Sequence, residues 1–347
     1  MPITEPRSAP PQLRASSLAL DVGQTTTKAR LLQAGHPPER LELPGVQTHR
    51  PLLPQLRDII RAAADSAGLA EAVAGPSRGA ATVALGVSGL TAADADAARL
   101  LELLDGSAPT DECIGTLRLA HDSVTGYLGA LGAARGVVVA AGTGVVTLGV
   151  GAEEVARVDG WGHLMGDAGS ACWMGRAALQ AVMRAYDGRG PATALTEVVR
   201  SRWPDLEGAY IRLQNDPAAV SVMASFAPAV AEFSENDQVA RRISAEAAGE
   251  LAHSALTALR RVGEDGAGAA PQVAAIGGVL RSSVVREEFR RLVRKAIPEA
   301  GFPAEAGEGV DGAVTLLTLA EEHPLHRLVS AHSAGGQRLG GLFGMPQ

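Results

Sequence analysis

Short apolar runs separated by Gly/Thr-rich turns occur twice along the chain. Ser17–Val22 is mainly apolar, and after a threonine-rich turn the apolar pattern resumes at Ala29–Leu32. The same arrangement returns at Gly136–Ala141 and Val145–Val150, on either side of a Gly-Thr-Gly turn. Two such runs joined by a short turn are typical of a β-hairpin. The repetition predicts a coarse internal duplication of supersecondary structure.

Helical and extended patterns alternate over the rest of the chain. Apolar spacing predicts helices at Leu52–Ala67, Ala92–Leu104, Ser123–Leu131, Ser283–Lys295 and Gly312–Glu322. Short apolar runs predict further strands at Thr82–Val87, Gly115–Leu119 and Gln272–Ile276. Thr91 is available as the N-cap of the second helix, and the region 174–262 has a mainly helical pattern. The alternation predicts an α/β fold.

The composition narrows the functional class. A chain of 347 residues with 46% apolar content can bury a large core. Its formal net charge of −7 argues against nucleic acid as a partner, because such partners are bound through clustered Lys and Arg. The two cysteines, Cys113 and Cys172, have neither the spacing of a zinc site nor the density of a disulfide framework. We therefore expect a cytoplasmic enzyme.

The chain termini and the restart of the pattern near Leu117 suggest the domain organisation. Residues 1–16 are rich in Pro and Ser, which predicts a disordered lead-in rather than the continuous apolar run of a secretory signal. No later segment supplies the 18 uncharged apolar residues of a membrane span, so no membrane partner is expected. We expect an N-terminal lobe over 17–117, joined by 326–347, and a C-terminal lobe over 118–325.

The first candidate for chemistry is the segment 21–28, DVGQTTTK, between two predicted strands. Gly23 permits a tight turn, so that successive N–H groups and Thr hydroxyls can face phosphate oxygens. Asp21 can hold Mg²⁺ through water. An ordinary hairpin turn is an equally good interpretation of this segment taken alone.

Two further glycine turns also follow apolar strands. Gly142-Thr143-Gly144 places two glycines around a hydroxyl residue, which suits the close approach of an anionic group. At Gly277-Gly278 the missing side chains would let a flat ring such as adenine lie near the backbone. The alternative for this last pair is tight packing of a helix on a strand.

Asp122 comes directly after a short apolar strand and before a helix. A carboxylate held at a strand end can serve as the general base that accepts a hydroxyl proton. The competing interpretation is a helix N-cap, a position that Asp also favours.

The segment 158–170, VDGWGHLMGDAGS, is the most distinctive in the chain. Its glycines, two aspartates, Trp161 and His163 make it too polar and flexible for a core, and loops of this kind usually bind a ligand. Asp and His hydrogen-bond sugar hydroxyls well, and a Trp ring can cover a sugar face. His163 is as well explained as a packed structural residue.

Taken in order, the motifs DVGQTTTK, VALGVSGL, LAHDSVTGYLGALG, VVVAAGTGV, VDGWGHLMGDAGSACWMGRAAL and VAAIGGVL resemble the family of N-acetylglucosamine kinases and BadF-type ATPases. The resemblance covers about residues 17–320, and GWGHLMGDAGS is its most specific part. It implies a two-lobed actin/hexokinase-like (ribonuclease H-like) ATPase fold with a duplicated βββαβαβα core. ATP and sugar would bind between the lobes, and a homodimer is expected.

The resemblance also implies roles for individual residues. On the nucleotide side, the first phosphate loop would contain Gly23, Gln24, Thr25, Thr26 and Lys28, and Mg²⁺ would be held through water by Asp21. The second phosphate loop would be Gly142, Thr143 and Gly144, and the adenosine site would be lined by Gly277 and Gly278. On the sugar side the resemblance implies Ser88, His121, Asp122, Thr143, Asp159, Gly160, Trp161 and Asp167. Asp122 would deprotonate the 6-hydroxyl as it attacks the γ-phosphate.

Departures from the family pattern bear on the substrate. Members usually carry Asn where this chain has His121, Gly where it has Asp159, and Glu where it has Ala168. An additional carboxylate beside the sugar loop would favour a cationic ammonium over a neutral acetamide. We therefore expect a glucosamine kinase of the actinobacterial type, which forms glucosamine 6-phosphate. N-acetylglucosamine is the alternative substrate, and Asp159 facing solvent is the alternative interpretation of that residue.

Other functional classes remain as alternatives. A BadF-type activator of a dehydratase needs cysteines in glycine-rich loops that hold an iron–sulfur cluster, whereas the two cysteines here lie in DECIG and SACWM. Glycerol and xylulose kinases share the type of first loop but lack GWGHLMGD. A sugar-sensing protein without catalysis would keep the sugar loop and need no general base.

Overall fold

The computed structural model describes residues 16–47, 49–69, 81–104 and 106–334. Residues 1–15 of the predicted lead-in and 335–347 of the predicted C-terminal segment lie outside the described residues. The described chain forms two compact units. One contains the residues up to Ala133 together with those from Gly307 onward, and the other is Ala134–Ala306.

Strands and helices alternate as the sequence predicts. The described strands are β1 (Ser17–Val22), β2 (Thr26–Leu32), β3 (Glu39–Pro44), β4 (Ala81–Val87), β5 (Ile114–His121), β6 (Gly136–Ala141), β7 (Val145–Val150), β8 (Val155–Val158), β9 (Gln272–Ile276) and β10 (Val329–Ser333). The helices with complete descriptions are α1 (Leu52–Ser66), α2 (Ala97–Leu103), α3 (Asp122–Leu131), α4 (Ala171–Tyr186), α5 (Leu195–Arg202), α6 (Ala209–Gln214), α7 (Ala219–Ala224), α8 (Ala227–Phe233), α9 (Gln238–Arg261), α10 (Ser283–Ala296) and α11 (Gly309–Leu316). Short 3₁₀ turns lie at Asp111–Cys113, Val279–Arg281 and Pro324–Leu328.

The first unit is built on a sheet in the order β10-β5-β4-β1-β2-β3. β1, β4 and β5 run parallel, whereas β2, β3 and β10 pair antiparallel with their neighbours. Successive strand residues point to opposite faces. Large apolar side chains such as Leu18, Leu20 and Leu85 join one core cluster with α1 and α2. Ala19 and Asp21 alternate with these residues along β1 and therefore point to the opposite face of the sheet. The helices α3 and α11 pack on that face.

Small residues allow α3 and α11 to approach each other closely. A Cβ atom at Gly312 of α11 would lie 1.7 Å from the Thr125 carbonyl oxygen, and one at Gly129 of α3 would lie 2.1 Å from the Glu308 carbonyl oxygen. A Cβ at Gly86 of β4 would fall within 1.9 Å of Thr125 Oγ1. Backbone therefore packs on backbone between the two helices, and the Thr125 side chain packs directly on the Gly86 backbone of the sheet.

The second unit repeats the strand pattern of the first. Its sheet has the order β8-β7-β6-β9, with an antiparallel β6–β7–β8 meander and β9 parallel to β6. The first sheet contains the same arrangement in β3, β2, β1 and β4. The predicted duplication is therefore confirmed at the level of strand order. In the described chain the first unit follows the full βββαβαβα order, whereas the second has several helices between its meander and β9 and a shorter βα end.

Some predicted bounds differ from the structure. The second predicted helix begins at Ala97, and its N-cap is Asp96, whose side chain accepts the Arg99 N–H; Thr91 instead hydrogen-bonds to Asp94 in the preceding turn. The last predicted helix is displaced to Gly309–Leu316, where Glu308 and Asp311 form a capping box. The sequence analysis did not identify β3, β8 and β10, which are edge strands with polar positions.

The division between the units also differs from the expected boundary at 117/118. It lies after Ala133, because β5 and α3 pack into the first sheet rather than starting the second. The chain returns to the first unit at Gly307 instead of 326, because α11 packs on α3 and β1. In the described part of the chain, every helix is too short or too polar to traverse a bilayer.

Substitution of Gly312 by Ala tests the close packing of α3 and α11. We expect Gly312→Ala to lower the free energy of unfolding by about 3 kcal/mol, because the new methyl group overlaps backbone that cannot move aside easily. The matched control is Gly249→Ala in α9, where a Cβ meets no atom within 4 Å. That change should stabilise the protein by about 0.5–1 kcal/mol through helix propensity. Urea denaturation of both variants is the measurement, and equal effects would contradict this packing.

Candidate active site

Three of the predicted site residues meet at one edge of the first sheet. Asp21 lies near the end of β1, Ser88 follows β4, and Asp122 follows β5. These three strands are parallel neighbours in the order β5-β4-β1, so their carboxyl ends lie at the same edge. Ligands of open α/β sheets bind at such edges. The fold thus brings together residues that are far apart in sequence.

Asp21 is held in a strongly acidic environment. A Cβ at Gly309, the first residue of α11, would lie 2.5 Å from Asp21 Oδ2, so glycine is required where the carboxyl group packs. Burial, Asp122 and Glu308 raise the pKa of Asp21 from 3.8 to about 6, while Lys28 lowers it. The carboxyl group is therefore poised to ionise fully when a cation approaches it.

Lys28 forms an ion pair with the N-cap residue of α11. Its Nζ lies 3.1 Å from Glu308 Oε2, and the two side chains are 42% and 60% exposed. In the β1–β2 register Lys28 is directly opposite Asp21. An exposed pair of this kind adds little stability. Its consequence is electrostatic, because the ammonium group partly offsets the negative charge at the sheet edge.

The structure excludes the N-cap interpretation of Asp122. The N-cap of α3 is His121, whose Nδ1 accepts the Ser123 N–H at 3.1 Å. Asp122 is the first residue inside the helix, and its carboxyl group is 37% exposed. Its Oδ1 lies 2.8 Å from the same Nδ1. One nitrogen cannot accept from the Ser123 N–H and donate to Asp122 at once, so these two contacts of Nδ1 are alternatives set by the tautomer of His121.

The turn after β1 is held in place by backbone hydrogen bonds from the chain that follows β3. Gly23 N–H donates to the Thr26 carbonyl, and the N–H groups of Gly45 and Val46 donate to the carbonyls of Thr25 and Gly23. The side chains of Gln24, Thr25 and Thr26 are exposed on this rigid turn. Thr27, by contrast, is buried and donates its hydroxyl to the Pro44 carbonyl. The turn is thus a hairpin turn whose outward groups are available to a ligand.

In the second unit, the Gly142-Thr143-Gly144 turn is held in place by hydrogen bonds from the start of α4. Ala171 and Cys172 donate their N–H groups to the carbonyls of Gly142 and Thr143. Thr143 is exposed, and no atom lies within 4 Å of a Cβ placed at Gly142. The turn therefore presents an open, fixed backbone.

The Gly142 turn and Gly278 line the same cavity. Since β6 and β9 are parallel neighbours, the turns that follow them lie side by side. The cavity has a volume of about 720 Å³, and its walls include Thr143, Arg281 and Ser282. Gly277 has φ +99° and packs against the Ala141 backbone, as the packing alternative for this pair predicts. Gly278 has open space beside it and faces the cavity.

Asp159 closes the distinctive loop by binding its backbone. Its Oδ1 accepts the N–H groups of Gly160 (2.7 Å) and Asp167 (2.8 Å), and its Oδ2 accepts that of Ala168 (2.9 Å). Asp159 and Asp167 both have left-handed backbone, with φ of 59° and 56°. These hydrogen bonds offset the cost of that conformation. The carboxylate thus holds the loop closed, and these three N–H groups take up most of the acceptor capacity that an ammonium group would need.

Asp167 joins this loop to the Gly-Thr-Gly turn. A Cβ at Gly144 would lie 2.7 Å from Asp167 Oδ2. Burial raises the pKa of Asp167, and nearby Asp159 adds to this effect, while the N–H groups of Val145 and Gly162 oppose it by donating to the carboxylate. Asp167 therefore holds the loop against the turn by accepting hydrogen bonds from Val145 on the turn side and Gly162 of the loop.

Arg157 is a functional candidate that sequence reasoning missed. Its Nε donates to the Asp159 carbonyl at 3.2 Å, and Nη2 donates to the Gly160 carbonyl. Its guanidinium carbon lies 4.8 Å from the centre of the Trp161 ring, within the range of a cation–π contact. Trp161 is 60% exposed, so one face is open to a ligand. The sequence feature that could have indicated this residue is the presence of an arginine within the short β8 segment, next to the loop.

No group of three or more His, Cys, Asp or Glu side chains with metal-ligand geometry occurs among the residues that the structure describes. Mg²⁺ typically retains several waters and is bound through one or two carboxylates together with substrate phosphates. A single residue such as Asp21 fits that type of site.

A model of the BadF/BadG/BcrA/BcrD ATPase family matches residues 18–316. The chain belongs to this family. The match covers the second sheet, the first sheet except β10, and every candidate site residue named above. It is consistent with the order of motifs from DVGQTTTK to VAAIGGVL.

Two curated relatives are similar to parts of the chain. An N-acetyl-D-glucosamine kinase from Dictyostelium discoideum is 30% identical over 177 residues, which are 50% of this chain and 56% of that protein. An N-acetylmuramic acid/N-acetylglucosamine kinase from Clostridium acetobutylicum is 26% identical over 208 residues, or 58% of this chain and 67% of that protein. The chain thus spans little more than half the length of the first relative.

Solved structures match nearly the whole chain. A provisionally named N-acetylglucosamine kinase from Chromobacterium violaceum has a TM-score of 0.64 and 25% identity, covering 88% of this chain and 99% of its own. A similarly named protein from Porphyromonas gingivalis has a TM-score of 0.63 at 19% identity, with 86% and 97% covered. The predicted actin/hexokinase-like ATPase fold is confirmed.

The raised pKa of Asp21 has a consequence for stability. Because the folded-state pKa (about 6) exceeds the ordinary value of 3.8, the contribution of this group is greatest below about pH 4 and is lost as the pH rises to about 6. The loss is up to about 3 kcal/mol. We expect Asp21→Asn to raise the free energy of unfolding at pH 7.5 and to have little effect at pH 4. Asp65→Asn, at an exposed position of α1, is the control. A destabilised Asp21→Asn at pH 7.5 in urea denaturation would contradict this expectation.

Proposed function

We propose that this protein is an ATP-dependent kinase that phosphorylates the 6-hydroxyl of N-acetylglucosamine. The observation that carries the proposal is the placement of Asp21 and Asp122 on one sheet edge, with Asp122 released from capping by His121. Membership of an ATPase family and the names of the curated relatives support it.

Asp122 is proposed as the general base. Its carboxylate is placed at the start of α3, is 37% exposed and lies 2.8 Å from Nδ1 of His121. It would accept the proton of the sugar 6-hydroxyl as the oxygen forms a bond to the γ-phosphorus and the bond to the ADP oxygen breaks. His121 positions this carboxylate through the helix cap.

Nucleotide binding is assigned to groups from each unit. In the first unit, the outward groups of the Gly23–Thr26 turn would face phosphate oxygens, and Asp21 would hold Mg²⁺ through water. Mg²⁺ supplies charge neutralisation on the transferring phosphate. In the second unit, the open backbone at Gly142–Gly144 and the cavity at Gly278 suit phosphate and adenosine. Mononucleotide sites commonly use such glycine turns at strand ends.

The sugar preference follows from the loop. The expected preference for glucosamine required a free carboxylate at Asp159, yet three backbone N–H groups occupy it. Arg157 also places a positive charge against Trp161 and the Gly160 carbonyl. A cationic ammonium would be repelled there, whereas a neutral acetamide would not. This local charge supports N-acetylglucosamine, the sugar in the names of both curated relatives.

A coupled assay of ADP release tests the proposal. We expect release that requires both Mg²⁺ and sugar, with kcat/KM at least about tenfold higher for N-acetylglucosamine than for glucosamine. Asp122→Asn should lower kcat by a factor of about 10² to 10⁴, because the base is lost while the shape is kept. Its affinity for ATP should not change.

Asp65→Asn serves as the matched control, since it makes the same chemical change at an exposed position of α1. ADP release that is independent of every sugar would favour the activator-type ATPase instead. A clear preference for glucosamine would show that the charge argument about the loop is wrong.

A further inference from the structure

A second cavity in the Ala134–Ala306 unit is unrelated to the proposed nucleotide site. It lies among α4, α5, α6 and α7 and has a volume of about 370 Å³, which is in the range of small-molecule sites. It shares no lining residue with the 720 Å³ cavity. Its apolar wall is formed by Leu179, Met183, Val199, Trp203, Leu213 and Met223.

Part of this apolar wall is accessible to solvent. Leu179, Met183, Leu213 and Met223 are half-buried, and Tyr210 at the rim is 58% exposed. Accessible apolar surface that is gathered in a concave site commonly marks a binding site.

The charged groups of the cavity are all positive. Arg176, Arg184 and Arg189 line it, and no Asp or Glu does. Arg189 is neutralised by Asp187 at 2.5 Å. Arg176 donates only to a neutral group, the His163 carbonyl, and no carboxylate lies within 4 Å of Arg184 in the described part of the chain. The cavity therefore combines an apolar interior with two guanidinium groups that form no ion pair with a carboxylate within 4 Å among the described residues, although Asp187 acts on Arg184 at longer range.

We propose that this cavity binds a small amphipathic anion, with a short acyl chain or ring against the apolar wall and a carboxylate at Arg184 and Arg176. Charge-assisted hydrogen bonds from guanidinium to carboxylate would fix the head group. Burial of the acyl chain or ring against the apolar wall would supply the rest of the affinity. A sugar fits poorly, because the apolar wall offers few hydrogen-bonding groups for its hydroxyls.

Arg176 also connects this cavity to the distinctive loop. Its stem lines the cavity, while its Nη1 donates to the His163 carbonyl at 3.3 Å. A carboxylate bound to Arg176 would compete for the same guanidinium group. The proposal concerns binding at this site and does not depend on the kinase function.

Isothermal titration calorimetry of the full chain with sodium octanoate tests the site. We expect saturable binding of one octanoate per chain. Arg184→Glu should weaken it by about tenfold or more, because the head group then meets a negative charge. Leu179→Gln should weaken it by about threefold or more through lost apolar contact, without any change in charge.

Two control variants distinguish this site from the 720 Å³ cavity and from a general effect of surface charge. Arg281→Glu makes the same change in the 720 Å³ cavity, and Arg212→Glu makes it on the exposed face of α6. Both should leave the octanoate affinity within about twofold. Thermal melts of each variant establish that it is folded.

Several results would overturn the proposal. One is the absence of saturable heat with octanoate up to about 10 mM, which corresponds to negligible affinity. Another is a loss of binding in Arg281→Glu but not in Arg184→Glu, which would place octanoate in the other cavity. A third is a concentration-dependent dimer in sedimentation that Arg184→Glu and Leu179→Gln both disrupt, since a second copy of the chain would then cover this cavity.

Discussion

The accumulation of negative charge at one edge of the first sheet is the constraint on which the candidate site depends. Asp21, Asp122 and Glu308 all act on this edge, and Lys28 is the cation that offsets them. Like charges held together in a partly buried place cost free energy, which the rest of the unit must supply. A cation that binds at this edge relieves the repulsion among these carboxylates. This electrostatic relief is the basis on which Asp21 is proposed as a Mg²⁺-holding residue.

Glycine and small residues make this arrangement sterically possible. Gly309 makes room for the Asp21 carboxyl group, and Gly312 with Gly129 lets α11 approach α3. Glycines also leave room beside the backbone in the second unit, where Gly142 and Gly278 lie in open space after parallel strands. The duplicated strand pattern thus gives each unit a glycine turn between the first two strands of its meander. The first unit adds the carboxylates, and the second adds the closed loop around Asp159.

Strand positions and turns could be predicted from the sequence because they depend on local pattern. β1, β6, β7 and β9 have the bounds that apolar runs ending at glycine indicate. Helix ends were harder, since Asp96 and Glu308 cap helices that apolar periodicity alone extends or shifts. The edge strands β3, β8 and β10 were missed because their pairing partners, not their own composition, hold them in the sheet.

In the candidate site too, residues marked by a local pattern were identified, whereas roles that depend on contacts in the folded chain were not. Asp21, Ser88 and Asp122 were identified in sequence, and parallel strands bring them together. The backbone contacts of Asp159 were not foreseen, because its partners are N–H groups of a loop whose closure no residue pattern reveals. Arg157 was missed because its importance depends on contact with Trp161 and two carbonyl groups. A pairwise contact across a folded loop has no counterpart in linear spacing.

The coupling between Asp21 and Asp122 is most directly measured by carbon-13 NMR of the aspartate carboxyl groups across a pH titration. In the wild-type protein without nucleotide, Asp21 should titrate with a pKa of about 6. In Asp122→Asn its pKa should fall, and in Lys28→Met it should rise, because each change removes one of the charges that act on it. An Asp21 that titrates near its ordinary value and responds to neither substitution would contradict the proposed charge coupling at this sheet edge.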